Sequence, residues 1–344
     1  MPPPYILAQH IRRIVFHRSA VHIEGTVNHN TGCACSTMHS DPSFDFLSHY
    51  SIAGRTIEKN RKVKDNGRSV WQEKYRCCVR KKQRRFFCTG RGKDMEYIRV
   101  TKDNLENEHI CCALSGNSDV QVSSKKAWLE ERLEEGLVFL KAAERGKCFI
   151  EYIPAENAWV PLNADGYMYI DCLWVTGSFK GHGYAQDLLG TCVEESRQKG
   201  KKGLCILSAK RKTPFLADPK FLTHLGFTVC DEADNGIQLW FLPFLSDAQP
   251  PTFKLCAKHP HVDSVGYVLY YTDQCPFNAK YVPIMAKTAK EENIPFQAIH
   301  LTSKEKAQNA PTPITTFALF FDGEYQSNEP MSEGRFHKFI SSNK

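Results

Sequence analysis

The fold of this chain is indicated by the stretch Tyr167–Ala185, which reads YMYIDCLWVTGSFKGHGYA. Its first half is rich in aromatic and other apolar residues and predicts a strand. A glycine-rich turn follows, with Gly181 and Gly183, and then the apolar residues of segment 184–199 repeat at helical spacing. A strand, a glycine turn and a helix in this order place free backbone N–H groups at the positive end of a helix dipole. The stretch therefore predicts a phosphate-binding site.

The segments around this stretch predict one mixed α/β domain over residues 95–246. Its other predicted strands are residues 96–100, 137–141, 148–153, 204–208 and 239–242. Its other predicted helices are residues 103–114, residues 125–135 with a cap at Ser123 or Ser124, and a segment near Lys220. Antiparallel strands followed by a strand–helix–strand unit are typical of a mixed sheet with flanking helices.

A polar linker with two consecutive prolines, Ser246–Thr252, separates this domain from a second one over residues 254–344. There the predicted strands are residues 267–272, 296–301 and 314–321, and the predicted helices lie in residues 276–292 and 333–340. This order of elements predicts a small α/β domain.

Basic charge is concentrated in residues 1–94. Of the chain's 45 Lys and Arg and 38 Asp and Glu, this segment holds 18 and 7, which leaves 27 and 31 for the rest. The segment includes the cluster RCCVRKKQRR at residues 76–85, which suits phosphate binding or a nuclear address. The favoured interpretation is a disordered, solvated N-terminal extension. Nucleic-acid binding is thus expected only through this extension, and not through residues 95–344.

Cysteine usage and hydropathy predict an intracellular, cytoplasmic protein. The 14 cysteines are scattered along the chain, which favours free thiols in a reducing compartment. The longest apolar run, residues 237–245, is interrupted by Gln238 and Pro243. A membrane-spanning helix needs about 20 apolar residues, so a membrane protein is not expected. The pair His259 and His261 is too small a set to predict a metal site.

Two motifs resemble landmarks of the GNAT acetyltransferases. Residues 180–185, KGHGYA, are similar to the family's phosphate turn, Gln/Arg-x-x-Gly-x-Gly/Ala, with Lys180 in the first position. Residues 219–227, PKFLTHLGF, resemble its second landmark, a helix that ends in Leu-Gly-Phe. Stretches such as GKCFIEYIPAE (146–156) and YYTDQCPFNAKYVP (270–283) further resemble the YoaP-like branch. In that branch a GNAT domain precedes a small thioredoxin-like domain.

The resemblance implies an α/β (α+β) fold, a GNAT mixed central sheet with flanking helices plus a small thioredoxin-like domain. It also implies an acetyl-CoA-dependent N-acetyltransferase whose acceptor is a small-molecule amine or a protein amine. The residues that match the family's cofactor site are Leu173, Trp174, Val175, Lys180, Gly181, His182, Gly183, Tyr184 and Ala185. The first three would pair with the pantetheine arm and the others would hold the pyrophosphate, although His182 fits a solvent-facing loop position equally well.

Acyl transfer to an amine needs a base for the amine and an acid for the leaving thiolate. Many family members have a Tyr four residues before the Gly of Leu-Gly-Phe, and that position is Leu222 here. Asp171 and Tyr169 share one face of a predicted strand that leads to the cofactor site, which makes both catalytic candidates. Asp171 is either a base, directly or through water, or a structural or substrate-orienting carboxylate. Cys205 lies on the next strand, as a catalytic candidate or as a small core residue.

A second candidate site is YTDQCPFN, residues 271–278, where Cys275 precedes a predicted helix. A helix N-terminus stabilises a thiolate, so we expect a lowered pKa for Cys275. The stretch resembles a thioredoxin active-site turn with Asn278 in place of the second Cys, and residues 310–313, APTP, resemble that family's cis-proline loop. A binding module and a monothiol redox module both remain open. The alternative function is therefore a thiol-dependent redox or partner-binding protein with a weakly catalytic, CoA-binding GNAT fold.

Overall fold

The computed structural model of the protein describes residues 95–342 and four strand segments within residues 51–69. The chain divides into two compact units, residues 1–76 and 77–344. The strands described in the first unit form two antiparallel pairs, β1 (Ser51–Ile52) with β2 (Arg55–Thr56) and β3 (Lys64–Asp65) with β4 (Arg68–Ser69). The basic cluster at residues 76–85 and most of the predicted extension lie outside the described residues.

A seven-stranded sheet, in the order β11-β12-β10-β9-β7-β6-β5, forms the first part of the second unit. Its strands are β5 (Tyr97–Val100), β6 (Val138–Ala142), β7 (Cys148–Pro154), β9 (Met168–Val175), β10 (Gly203–Ala209), β11 (Thr228–Glu232) and β12 (Ile237–Pro243). A short pair, β8 (Leu162–Asn163) with β13 (Thr252–Phe253), lies outside this sheet. All neighbours in the large sheet are antiparallel except β9 and β10, which run parallel.

Helices cover both faces of this sheet. Parallel strands need a crossover connection, and α2 (Tyr184–Gln198) connects β9 to β10. Helix α2 and the short α3 (Pro219–His224) pack on one face through a cluster that includes Leu188, Leu222 and Ile170. Helix α1 (Val120–Glu134) packs on the other face, where Trp128 and Leu129 share a cluster with Tyr169 and Cys205. Residues adjacent along β9 thus enter different cores, as strand geometry requires.

A four-stranded sheet, in the order β15-β14-β16-β17, forms the rest of the unit. Its strands are β14 (Tyr267–Tyr271), β15 (Phe296–His300), β16 (Phe317–Phe321) and β17 (Glu324–Ser327). The accompanying helices are α4 (Leu255–Lys258), α5 (Phe277–Glu291), α6 (Lys304–Gln308) and α7 (Glu333–Ser342). Strand β14 is parallel to β15, which it reaches through α5, and antiparallel to β16. Two 3-10 turns, Ala155–Asn157 and Gly177–Phe179, complete the described elements.

The structure corrects several local predictions. Residues 103–114 form turns and not a helix: the N–H groups of Leu105 and Glu108 bond the carbonyls four residues earlier, at Thr101 and Asn104, but the chain then turns into a bridge between Ile110 and Ala113. Helix α1 begins at Val120 because Asp119, and not a serine, caps it by accepting the Gln121 N–H. Strand β11 was not predicted. Pro311 and Pro313 both follow trans peptide bonds, since none of the described bonds is cis.

The predicted fold class is confirmed, with a mixed central sheet flanked by helices and a second, smaller α/β sheet. In the part of the chain that the structure describes, every helix is too short or too polar to span a bilayer.

Candidate active site

The turn between β9 and α2 presents a row of backbone N–H groups. Gly181 and Gly183 have φ angles of +81° and +86°, in the left-handed region that favours glycine. The Gly183 carbonyl accepts the N–H groups of Gln186 and Asp187 at 2.8 and 3.1 Å and so starts the helix. Among described residues, the N–H groups of positions 181–185 have no protein acceptor. Together with the positive end of the α2 dipole, this arrangement is suited to an anion.

The space in front of this turn is open. A Cβ at Gly181 would meet no protein atom within 4 Å, and one at Gly183 would meet only Gln186 Oε1 at 4.0 Å. Lys180 and His182 are exposed, while Tyr184 is buried beneath the turn with its ring centroid 5.5 Å from that of His182. The backbone conformation requires the glycines, and their missing side chains leave room for a ligand.

Strands β9 and β10 separate beside this turn. Their parallel pairing runs only from Met168 opposite Leu204 to Ile170 opposite Ile206. Strand β9 continues to Val175 and keeps its pairing with β7, so its edge toward β10 is unpaired over residues 171–175. The predicted pantetheine-binding residues Leu173, Trp174 and Val175 lie on this edge. An unpaired strand edge can bind an extended molecule through main-chain hydrogen bonds.

Asp171 lies at a β-bulge where the two strands begin to separate. Tyr152 pairs with Ile170 and Glu151 pairs with Cys172, so Asp171 is an extra residue in β9. Bulges redirect side chains and are frequent next to active sites. Burial raises the pKa of Asp171 well above the usual carboxylate range, and the nearby Glu151 raises it further.

A buried ion pair lies next to Asp171. Lys125 Nζ, from α1, contacts both carboxylate oxygens of Glu151 at 2.7 and 2.8 Å, and both side chains are almost completely buried. Lys125 also lowers the pKa of Asp171, against the effect of burial. Since Lys125 and Glu151 neutralise each other, the remaining charge of this cluster is that of Asp171 in its ionised form.

The other two catalytic candidates lie deeper, where β9 and β10 are still paired. Tyr169 and Cys205 are directly opposite each other, and both are buried. Burial raises the pKa of each side chain, and the nearby Asp171 raises the pKa of Tyr169 further. Cys205 is fully buried in the apolar core, which favours the packing role for it. Leu222, at the family's usual Tyr position, is also buried.

The second sheet's first turn contacts this cluster. Gln274 Nε2 donates to Asp171 Oδ1 at 3.3 Å, and Ser124 Oγ of α1 donates to Asp273 Oδ1 at 3.0 Å. On the opposite side of the opening that the separating strands β9 and β10 leave between them, Phe277 packs edge-on against Phe215. Their ring centroids are 6.0 Å apart. Residues 271–278 therefore contact both sides of the opening between β9 and β10.

The expectation of a lowered pKa for Cys275 is wrong. Burial raises the pKa of the Cys275 thiol to about 11 and outweighs a hydrogen bond from the Phe277 backbone, which acts in the other direction. Asn278, at the position of a second thiol, is fully buried and donates from Nδ2 to the Thr272 and Thr316 carbonyls. The sequence showed the proximity of a helix N-terminus but not the burial of the turn.

Sequence reasoning missed Lys125, Glu151 and Gln274 as members of the site. One available signal was Glu151 itself, a single carboxylate in the apolar stretch CFIEYIP. A charge at such a position requires a buried partner. Gln274 could not have been identified in this way, because its contact with Asp171 joins residues 103 positions apart.

Comparison with known proteins agrees with this geometry. The model of the acetyltransferase (GNAT) family matches residues 102–227, and that of the YoaP-like family matches residues 295–338. The uncharacterized N-acetyltransferase YoaP of Bacillus subtilis (strain 168) is 44% identical over 248 residues, which are 72% of this chain and 99% of the relative.

Similar solved structures include two acetyltransferases. PaiA N-acetyltransferase from Thermoplasma acidophilum, in complex with coenzyme A, is 14% identical. The match covers 44% of this chain and 100% of that one, with a TM-score of 0.32. A GNAT family acetyltransferase from Brucella melitensis, in complex with acetyl-CoA, is also 14% identical. That match covers 47% of this chain and 96% of the other, with a TM-score of 0.30.

The separating strands and the glycine turn, together with the family match over residues 102–227, define a GNAT acyltransferase. At 44% identity over nearly the full length of its relative, the chain belongs to the YoaP family of GNAT N-acetyltransferases.

Proposed function

We propose that the chain transfers the acetyl group of acetyl-CoA to a primary amine at the opening between β9 and β10. The observation that carries this proposal is the combination of an unpaired β9 edge with a turn whose N–H groups, at residues 181–185, have no protein acceptor. A diphosphate and an extended amide chain need these two features side by side. When bound, acetyl-CoA supplies an activated thioester.

The residues of the turn and the strand edge suit acetyl-CoA in both charge and space. Positions 181–185 would hold the pyrophosphate through backbone N–H groups, with exposed Lys180 adding a positive charge. The backbone at Leu173, Trp174 and Val175 would bind the amide groups of the pantetheine arm. Gly181 and Gly183 leave the approach to these groups free.

Asp171 is the residue we assign as general base. It lies where β9 leaves β10, and burial raises its pKa toward the range where a carboxylate accepts a proton from an ammonium more effectively. Removal of that proton exposes the nitrogen lone pair. Burial and the nearby charge of Asp171 both raise the pKa of Tyr169, so Tyr169 stays protonated. It is our candidate to return a proton to the leaving thiolate.

We further propose that residues 95–246 carry out acetyl transfer and that residues 254–344 are a thioredoxin-like module. The module's sheet order, with its first two strands parallel and joined by α5, supports this assignment. The acceptor is a small-molecule or protein amine. The nine described cysteines are all free, which supports a reducing, cytoplasmic setting. The redox alternative has less support, since Cys275 is only partly exposed and desolvation raises the pKa of its thiol.

Release of CoA thiol from acetyl-CoA in the presence of a panel of primary amines tests the proposed function. The panel should include amino acids, polyamines, aminoglycosides and peptides with free N-termini, and mass spectrometry should identify the acetylated product. Amine-dependent CoA release with an N-acetyl product supports the proposal. Binding of acetyl-CoA without transfer to any amine would leave a CoA-binding protein and overturn it.

A further inference from the structure

The turn of residues 271–278 contains a buried polar atom with no partner at the edge of the active site. Gln274 is only 7% exposed, and its Oε1 makes no hydrogen bond with any described residue. A buried acceptor without a donor is costly, so native structures rarely keep one without a reason. Gln274 lies in the turn that follows β14 of the four-stranded sheet, and its side chain contacts Asp171 on β9 of the seven-stranded sheet.

The chemistry of the contact fixes which amide atom is unpaired. Gln274 Nε2 lies 3.3 Å from Asp171 Oδ1, and Asp171 in the ionised form that acts as a base needs a donor there. A flipped amide would place its oxygen against that ionised carboxylate. Oε1 is therefore the free atom, next to a carboxylate whose neighbouring charges, Lys125 and Glu151, are already paired.

A carboxylate and an unpaired carbonyl oxygen side by side accept hydrogen bonds and favour a positive charge. A primary ammonium has three N–H donors and one positive charge, like a lysine side chain. We propose that Gln274 binds the acceptor amine together with Asp171, so that the substrate site is shared by the two modules. This inference rests on the proposed function.

Contacts on the other side of the opening support a shared site. Phe277 packs on Phe215, and Asn328 Nδ2 donates to the Pro214 carbonyl at 2.8 Å. Pro214 and Phe215 both lie in the loop that follows β10. With the Ser124–Asp273 contact beside β9, the second module borders both sides of the opening. An acceptor that reaches Asp171 must then pass next to this module, which selects among amines.

The test uses the full chain and steady-state kinetics with the best amine of the panel. In Gln274→Met, which keeps the length of the side chain, the KM for the amine should rise about 10- to 100-fold through loss of a hydrogen bond to a charged group. The KM for acetyl-CoA should not change, because the turn at residues 181–185 is intact. The acidic limb of the pH profile should move to higher pH, because the bond from Gln274 lowers the pKa of Asp171.

Two further variants make the result decisive. Gln308→Met is the matched control, since Gln308 also joins the modules, through the Glu156 and Ala158 carbonyls at 3.2 and 2.9 Å, but does not contact Asp171. Gln274→Glu keeps an acceptor oxygen and loses the donor. It should therefore shift the pH profile while keeping the amine KM near its wild-type value, and it tests the inference should Gln274→Met fail to fold.

The outcomes separate this inference from the function on which it rests. An unchanged amine KM in Gln274→Met, or an equal rise in Gln308→Met, overturns the role of Gln274 and leaves acetyl transfer standing. A rise in the amine KM that is as large in Gln274→Glu as in Gln274→Met would also contradict the proposed role of Gln274. Absence of transfer to every amine by the wild-type protein overturns the proposed function itself, and this inference with it.

Discussion

Gly183→Asp should greatly weaken acetyl-CoA binding while the protein stays folded. Gly183 is the N-cap of α2, and its carbonyl starts the helix. The new carboxylate would lie among the free N–H groups of residues 181–185 and would compete with a bound pyrophosphate for them. It would also repel the negative charge of the pyrophosphate directly.

The size of the effect follows from Coulomb's law. Two unit charges about 4 Å apart repel by about 1 kcal/mol in water and by about 4 kcal/mol at the effective dielectric constant of a protein surface. At about 1.4 kcal/mol per factor of ten, the affinity should fall between about fivefold and about a thousandfold. The space around Gly183 is open, so strain comes only from its φ of +86° and costs about 1–2 kcal/mol of stability.

Calorimetric titration with acetyl-CoA measures this loss, and two variants separate its causes. Gly183→Asn has nearly the same size without the charge, so most of the affinity should remain. Gly200→Asp puts the same side chain at another open glycine, with φ of +69°, just beyond the far end of α2. Its stability should fall similarly while its affinity is unchanged. A folded Gly183→Asp protein with wild-type affinity would refute the argument and reduce the turn to a structural feature.

Three other predictions concern the interior of the site. Asp171→Asn should lower kcat by about 10²–10⁴-fold. As the pH is lowered, wild-type activity should begin to fall at a pH above the usual carboxylate range, because only ionised Asp171 is a base and burial raises its pKa. Iodoacetamide followed by peptide mapping should label exposed Cys256 before Cys275, which is only partly exposed and whose pKa is raised to about 11 by desolvation. Lys125→Met should cost about 3–5 kcal/mol of unfolding free energy in denaturant titrations, since it leaves Glu151 charged and unpaired in the interior.

Each of these predictions has a contradicting result. An active Asp171→Asn enzyme with an unchanged pH profile would remove Asp171 as the base. Preferential labelling of Cys275 in the native protein would restore the redox alternative. Unfolding of Lys125→Met at wild-type denaturant concentrations would mean that the ion pair contributes little. A double variant that also replaces Glu151 by Leu should regain much of the lost stability, because no unpaired charge remains.

The conformation of the glycine turn could be predicted from sequence because it is local. A strand, two glycines and an amphipathic helix follow one another in residues 167–199, and the glycines allow the left-handed backbone between them. The helix at residues 103–114 was predicted wrongly because local propensity allows the single turns seen at Leu105 and Glu108, whereas the bridge between Ile110 and Ala113 that ends them is set by the surrounding structure.

The surroundings of Asp171 and Cys275 could not be predicted because they depend on register and on distant contacts. The bulge that sets Asp171 apart exists only in the pairing of β9 with β7. The raised pKa of Cys275 comes from desolvation, which the adjacent helix N-terminus does not overcome. The hydrogen bond between Gln274 and Asp171 joins the turn after β14 to β9, and the sequence between them gave no sign of this contact.

A crystal structure of the full chain with acetyl-CoA would test the proposed cofactor site directly. We expect the pyrophosphate to accept hydrogen bonds from the N–H groups of residues 181–185. The pantetheine arm should run along the β9 edge at residues 171–175, with the thioester near Asp171 and Gln274. A ligand bound elsewhere, with the turn empty and the β9 edge uncovered, would mean that neither the turn nor the strand edge is the cofactor site.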